Sequence, residues 1–106
     1  MQSYTLTDLP VRELFPGYQG KFITSDTMTF VYWEITPGYP LPPHSHPHEQ
    51  VVNVLEGEFE LVVEGEKVVL GPGMVATIPG GKTHTGQALS QCRILDVFYP
   101  IREEYR

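Results

Sequence analysis

Hydrophobic and polar positions alternate along short stretches of the chain, which is the pattern of β-strands. Between residues 58 and 63, for example, Phe59, Leu61 and Val63 alternate with Glu58, Glu60 and Val62, so one face is apolar and the other mostly polar. The hydrophobic stretches are rich in Val, Phe, Tyr, Thr and Ile, and none of ten or more residues has a helical period. The pattern predicts eight strands, at residues 20–24, 28–35, 51–56, 58–64, 67–70, 74–78, 83–89 and 92–99.

Ten glycines and ten prolines separate these stretches. Gly57 and Gly65 lie where tight hairpin turns are expected, and Gly-Pro-Gly at 71–73 and Pro-Gly-Gly at 79–81 are strong strand breakers. Many short, evenly spaced strands with such turns predict an all-β sandwich or barrel. The length of 106 residues predicts a single domain over residues 1–106.

The composition limits the partners of this domain. The formal charge is −6, and only seven Lys and Arg residues are present, which argues against nucleic acid. No apolar run approaches the roughly 20 residues that cross a membrane, and the N-terminus lacks the pattern of a signal peptide. The single cysteine, Cys92, cannot form an internal disulfide, so we expect a cytoplasmic protein. An anionic small molecule would need a local cation, such as a metal ion or one Arg.

Three of the four histidines lie within five positions, in the sequence PPHSHPHEQ. In an extended segment His44 and His46 point to the same side, and Gln50 joins them if the chain stays extended past Pro47. Two imidazoles and an oxygen donor facing one cavity form part of a metal site. The remaining histidine, His84, follows the Pro-Gly-Gly turn, but spacing alone does not pair it with the others.

Other interpretations of this cluster stay open at this point. The histidines could be surface residues near loops, and Gln50 could be an amide that only forms hydrogen bonds. We expect His48 to face solvent or to support the ligands from behind, and Glu49 would replace Gln50 if the strand bulges there.

The spacing of these residues resembles the two sequence motifs of the cupin superfamily. The first motif, in residues 38–57, runs from Gly38 through His44, His46 and Gln50 to Gly57. The second, in residues 73–88, runs from Gly73 through Pro79, Gly81 and His84. The resemblance implies a double-stranded β-helix, which is a small jelly-roll barrel. It also implies one divalent transition metal (Ni, Zn, Fe, Mn or Co) held by His44, His46, Gln50 and His84.

The sequence departs from the family pattern at two positions. Gln50 replaces the usual Glu of the first motif, and Ala88 replaces the Asn that often ends the second. Because an amide oxygen is neutral, three imidazoles and Gln50 would leave the metal site with a charge of about +2. Such a site polarises substrate oxygens and attracts carboxylates, and it stabilises high-valent iron less well.

The last predicted strand carries an acid. Ile94, Asp96 and Phe98 share one face, and because the opposite face is also largely apolar, we expect this strand to be buried on both sides. A buried Asp needs a partner or a chemical role. Arg102, just after the strand, could be that partner in an ion pair.

Three stretches, HSHPHEQ, VLEGEFE and DVFYPIREEY, resemble the small single-domain cupins of pectin and alginate breakdown. The resemblance implies an isomerase-like enzyme that converts 4,5-unsaturated monouronates to linear keto forms, by ring opening and enol-to-ketone tautomerisation. It assigns acid and base catalysis to Asp96 and Arg102, and substrate binding to Phe98 and Arg102. The expected partner is thus a small anionic sugar, and exposed edge strands suggest a homodimer.

Two other classes of function remain. One is a non-catalytic cupin that binds a metal or a sugar, and the other is a different cupin enzyme, such as a dioxygenase or a sugar isomerase. The fold alone does not separate them, because one barrel supports many chemistries.

Overall fold

The computed structural model describes all 106 residues and consists almost entirely of antiparallel strands. The strands are β1 (Arg12–Phe15), β2 (Tyr18–Thr24), β3 (Thr29–Ile35), β4 (Glu49–Glu56), β5 (Phe59–Val63), β6 (Glu66–Leu70), β7 (Val75–Ile78), β8 (His84–Ala88) and β9 (Cys92–Tyr99). Two three-residue 3₁₀ turns, Leu6–Asp8 and Glu103–Tyr105, lie near the ends of the chain. None of the helical segments is long and apolar enough to cross a membrane.

The strands form two antiparallel sheets. The larger has the order β1-β2-β3-β9-β4-β7, and the smaller has the order β6-β5-β8. Strands β3, β4 and β9 lie next to one another although they are distant in sequence, so the chain crosses between the sheets as a jelly-roll barrel requires. The prediction of an all-β barrel is confirmed.

Alternation within each strand sends one set of side chains into the barrel. In β3 the buried residues are Thr29, Val31, Trp33 and Ile35, and in β5 Phe59 and Leu61 are buried. The inner residues of both sheets form one core of 15 hydrophobic side chains. This packing of two alternating faces against each other is the main stabilising term expected for the fold.

All eight predicted strands are present, with ends that differ by at most two residues. The sequence prediction missed β1, a four-residue strand that bulges between Glu13 and Phe15. It also began β2 two residues late, at Gly20, and so left Tyr18 outside the sheet. Pro16-Gly17 marks the turn between them, but four residues are too few to show an alternating pattern.

One expectation about β9 is wrong. Its inner face is buried at Cys92, Ile94 and Phe98, but the outer face is only half-buried and ends at the exposed Tyr99. The strand therefore has one core face, because no second layer covers the outside of the larger sheet.

Candidate metal centre and cavity

The histidines of both motifs meet at one end of the barrel. His44 and His46 lie in the loop that precedes β4, and His84 is the first residue of β8. Two backbone hydrogen bonds, of 2.9 and 2.8 Å, connect His44 with His84, and the amide of Gly81 donates to the carbonyl of His46 at 2.8 Å. These bonds hold the loop against β8, which explains how residues forty positions apart form one cluster.

The three imidazoles are close enough to share an ion. One ring nitrogen from each of His44, His46 and His84 lies within 4.8 Å of the others. Nitrogens at about 2.1 Å from one ion are separated by roughly 3–4 Å, and the upper limit of 4.8 Å found here is close to that separation. His46 and His84 are 8% and 5% exposed, and His44 is half-buried at the edge.

Backbone carbonyls fix the tautomer of each ring. The Nδ1 atoms of His44, His46 and His84 donate to the carbonyl oxygens of Pro42, His48 and Lys82, at 3.2, 3.1 and 2.8 Å. A carbonyl can only accept, so Nδ1 carries the proton and Nε2 keeps its lone pair in the neutral ring. Nε2 of His84 is buried and has no hydrogen-bond partner, as expected for a nitrogen that binds a metal ion.

Burial also keeps two of these rings neutral. Desolvation, helped by the positive charge of Arg102, lowers the pKa of His46 to about 4. Desolvation lowers the pKa of His84 as well, against a backbone hydrogen bond that raises it. Neutral imidazole is the form that binds metals, so both rings are in the ligand form at neutral pH.

Gln50 joins this cluster although the chain does not stay extended. The chain bends at Pro47 and His48 before β4 begins, and Gln50 then enters the barrel with only 8% exposure. Its Oε1 lies 3.1 Å from Nε2 of His46. Because both atoms are acceptors in this tautomer, their approach is favourable when a cation lies beside them. The four residues therefore fit a divalent metal with nitrogen and oxygen ligands.

The neighbours of Gln50 in sequence do not join the cluster. Glu49 is exposed at the start of β4. His48 accepts the hydrogen bond from His46 through its carbonyl, and its ring lies 5.5 Å from the His46 ring. His48 therefore orients the candidate ligand His46 by accepting a hydrogen bond from its Nδ1 atom.

A cavity of about 370 Å³ extends into the barrel from this cluster. Its size is in the range of small-molecule sites, roughly 300–1,000 Å³. Hydrophobic residues form eleven of the twenty that line it. Asp96 is the only carboxylic acid in its wall and Arg102 the only Lys or Arg, so polar recognition inside it depends on few groups.

Asp96 lies in the cavity wall with one carboxyl oxygen free. Oδ2 accepts a hydrogen bond of 3.1 Å from Nε1 of Trp33, whereas Oδ1 is buried and has no partner. Desolvation raises the pKa of Asp96 to about 7, and the nearby amide of Gln50, the hydrogen bond from Trp33 and the charge of Arg102 limit the rise. An acid with this pKa can both accept and donate protons at neutral pH.

Asp96 and Arg102 do not form the ion pair that the sequence left open as one possibility. Arg102 instead pairs with Glu104 through its Nε, and its guanidinium lies over the rings of Phe98 and Tyr105, at 5.0 and 4.2 Å. The 3₁₀ turn at the end of the chain places Glu104 beside Arg102, and this local partner takes precedence over the acid inside the barrel. Arg102 still borders the cavity, and its side chain is 15% exposed.

Three aromatic residues of the cavity were not predicted as site residues. Trp33 lies in a predicted strand but was given no role, Tyr18 lay outside the predicted strands, and Tyr105 lies in the polar tail. The alternation of β3 could have placed Trp33 on the inner face with Val31. No sequence signal identifies Tyr105, which packs against Phe22 and Phe98 only because the tail folds back.

Comparisons with known proteins agree with this architecture. The family model described as "Cupin domain" matches residues 31–98. The "Pectin degradation protein KdgF" of Dickeya dadantii is 34% identical over 109 residues, which cover 99% of each chain. The solved structure of KdgF from Halomonas sp. superposes with a TM-score of 0.91 at 28% identity, over 97% of this chain and 98% of that one.

A second solved structure supports the fold alone. An RmlC-like cupin from Shewanella frigidimarina superposes with a TM-score of 0.91 at 24% identity, over 97% of this chain and 94% of that one. The resemblance found in the motifs is thus confirmed along the whole chain. The protein belongs to the cupin superfamily and, within it, to the small single-domain pectin-degradation cupins that include KdgF.

Proposed function

We propose that this cupin is a metal-dependent enzyme that converts unsaturated monouronates from pectin or alginate breakdown to their linear keto forms. The observation that carries the proposal is the single cavity in which a cluster of neutral metal ligands faces a buried acid with a free oxygen. The similarity of the chain to a pectin degradation protein supports this class of substrate.

The proposed metal ligands are Nε2 of His44, His46 and His84 and Oε1 of Gln50. All four are neutral, so a bound divalent ion would keep its charge of about +2 and polarise oxygens of an anionic sugar. This set does not select among Ni, Zn, Fe, Mn and Co.

Asp96 is the proposed acid and base. Its free Oδ1 accepts the proton of the hydroxyl at C1 while the bond between C1 and the ring oxygen breaks, leaving an aldehyde and an enolate. The carboxyl group, now protonated, then gives that proton to C4, so that the enolate becomes a ketone. The sum is an isomerisation, without gain or loss of atoms, and it needs one group with a pKa near neutrality.

Arg102 and Phe98 are the proposed substrate-binding residues. The guanidinium of Arg102 can pair with the carboxylate of the sugar in a bidentate way, and stacking on Phe98 and Tyr105 orients it. Phe98 is buried and lies opposite Gln50 on the neighbouring strand, so its ring forms the apolar wall beside the ligands.

The test is an assay with metal-loaded protein and a 4,5-unsaturated monouronate. The wild type should remove the ultraviolet band of the conjugated double bond faster than the spontaneous reaction. Asp96→Asn should lower the rate about 10²–10⁴-fold, because the amide cannot relay a proton. Metal content should stay at one ion per chain, since Asp96 is not a ligand.

The two other classes of function give different results in this assay. A binding protein would leave the spontaneous rate unchanged in the wild type and in Asp96→Asn alike. A dioxygenase would consume dissolved oxygen with the substrate, whereas the proposed reaction proceeds at full rate without oxygen. Either result would overturn the proposal.

A further inference from the structure

Three of the four buried side-chain polar atoms that lack a hydrogen-bond partner belong to residues of the cavity wall. They are Nε2 of His84, Oδ1 of Asp96 and Oη of Tyr18. A buried polar atom without a partner is costly, so such atoms mark the places where a ligand supplies the missing bond. The proposed metal and the proposed proton transfer account for His84 and Asp96, and Tyr18 remains without a role.

The ring of Tyr18 is held in a fixed orientation. Tyr18 opens β2, is 4% exposed, and packs edge-on against Phe15 and Trp33, with ring centroids at 6.0 and 5.9 Å. Both neighbours also line the cavity. Its hydroxyl is therefore a preorganised group, which lowers the entropic cost of binding a ligand.

Strand register places Tyr18 at a distance from the metal ligands. Tyr18 lies opposite Ile35, and Ile35 lies opposite Cys92 of β9. Gln50 lies opposite Phe98, at the other end of the same strand. Asp96 lies in β9 between Cys92 and Phe98. Tyr18 and the ligands are therefore on opposite sides of the acid along the barrel.

The hydroxyl of Tyr18 is a donor. Burial, together with the charges of Asp96 and Cys92, raises the pKa of Tyr18 to about 12, so the phenol is protonated at all physiological pH values. Tyr18 and Asp96 both line the cavity, so the two groups face the same space. A monouronate has several hydroxyl and carbonyl oxygens, and each can accept such a bond.

Building on the proposed function, we infer that Tyr18 is a substrate-binding residue whose hydroxyl donates a hydrogen bond to a sugar oxygen on the far side of Asp96 from the metal ligands. The sugar is then held at two ends, by the ligand cluster and by Tyr18, with its reacting carbons beside Asp96. This arrangement makes Tyr18 a determinant of the orientation of the substrate.

The experiment compares Tyr18→Phe with the metal-loaded wild type in the ultraviolet assay. We expect kcat/KM to fall about tenfold, as for the loss of one hydrogen bond to the substrate. We expect the Tm to stay the same or to rise, because the hydroxyl has no partner in the protein. Metal content should not change. Tyr32→Phe is the control, since Tyr32 lies on the outer face of β3 and should retain wild-type kinetics.

The outcomes separate this inference from the proposed function. An active wild type with an equally active Tyr18→Phe variant would overturn the role of Tyr18 alone. A lower Tm of Tyr18→Phe would also overturn it, because the hydroxyl would then be a structural group. A wild type without activity would reject the proposed function and the role of Tyr18 together.

Discussion

Gln50 is the residue that connects the candidate metal centre to the buried acid. Its oxygen lies beside His46, and its amide group is near enough to Asp96 to lower the pKa of that acid. A Glu at this position would add negative charge to both neighbours at once. The choice of Gln therefore keeps the ligand set neutral and limits how far burial raises the pKa of Asp96.

Gln50→Glu tests this connection. We expect metal to bind at least as tightly, because a carboxylate is a better ligand for a divalent ion. We expect the conversion rate at pH 7 to fall about tenfold or more, because a like charge raises the pKa of a neighbouring acid and leaves less of Asp96 in the basic form. Metal titration and initial rates measure the two effects.

Gln91→Glu is the matched control, because it adds the same charge at an exposed turn position. It should behave as the wild type in both measurements. An unchanged rate in Gln50→Glu would contradict the importance of a neutral ligand at this position.

The sequence predicted best which residues come together when a motif specifies the number of residues between them. His44, His46, Gln50 and His84 could be named in advance because the motifs specify their separations. The hydrogen-bond partner of Asp96 could not be named in advance. Trp33 is 63 positions away in sequence and meets the acid only through the register of β3 and β9. Arg102 was assigned to Asp96 because it is near in sequence, and the local turn gave it Glu104 instead.

At the level of elements, the loop that carries His44 and His46 depends on a glycine in the turn before β8. A Cβ on Gly80 would lie 2.2 Å from the carbonyl oxygen of Pro47, in the loop that carries His46. The neighbouring Gly81 donates its backbone hydrogen bond to that same loop. The breaker at 79–81 thus ends β7 and also brings two segments of the candidate metal site into contact.

Gly80→Ala should weaken metal binding. The added methyl group must push the loop away from β8, and we expect a loss in metal affinity of about 10–100-fold, as for changes in the groups that support metal ligands. Isothermal titration with a divalent metal measures it. Gly71→Ala is the control, because a Cβ there meets nothing within 4 Å, and it should bind metal as the wild type does. Equal affinities for both variants would refute the role of Gly80.

The turn signals also show what sequence reveals about elements. Gly57, Gly65 and the breakers at 71–73 and 79–81 separated the later strands correctly, because each of these turns needs residues with special backbone freedom. The hairpin of β1 and β2 escaped detection, although Gly17 has a positive φ of 81°. Its first strand is too short for alternation to be visible.

For the whole molecule, the candidate ligands link the two sheets. His84 opens β8 of the smaller sheet, and Gln50 lies in β4 of the larger one. An ion held by both would connect the two layers of the barrel as well as serve the chemistry. Binding to the folded state alone stabilises that state.

Removal of the metal should therefore lower the Tm. With metal in large excess over its Kd, we expect a decrease on the order of 10 °C after chelation, measured by differential scanning calorimetry. The His84→Ala variant should have a lower Tm that does not respond to the chelator. A wild-type Tm that is equally insensitive to chelator and to added metal would contradict a metal held between the sheets.

The homodimer and the cytoplasmic location stay predictions at this scale. β1 and β7 are the edge strands of the larger sheet, and Val75 in β7 is 57% exposed, which is consistent with an interface between two copies. Sedimentation of the metal-loaded protein would establish its oligomeric state.

In the proposed reaction, the ring of an unsaturated monouronate opens in the cavity and the product tautomerises there. Proton NMR of that substrate in D₂O, with metal-loaded wild-type protein, tests it most directly. We predict loss of the ring signals and of the vinyl proton signal faster than in buffer, with a linear keto product that carries a solvent deuteron at C4. Ring and vinyl signals that decay at the same rate with and without the protein would contradict it.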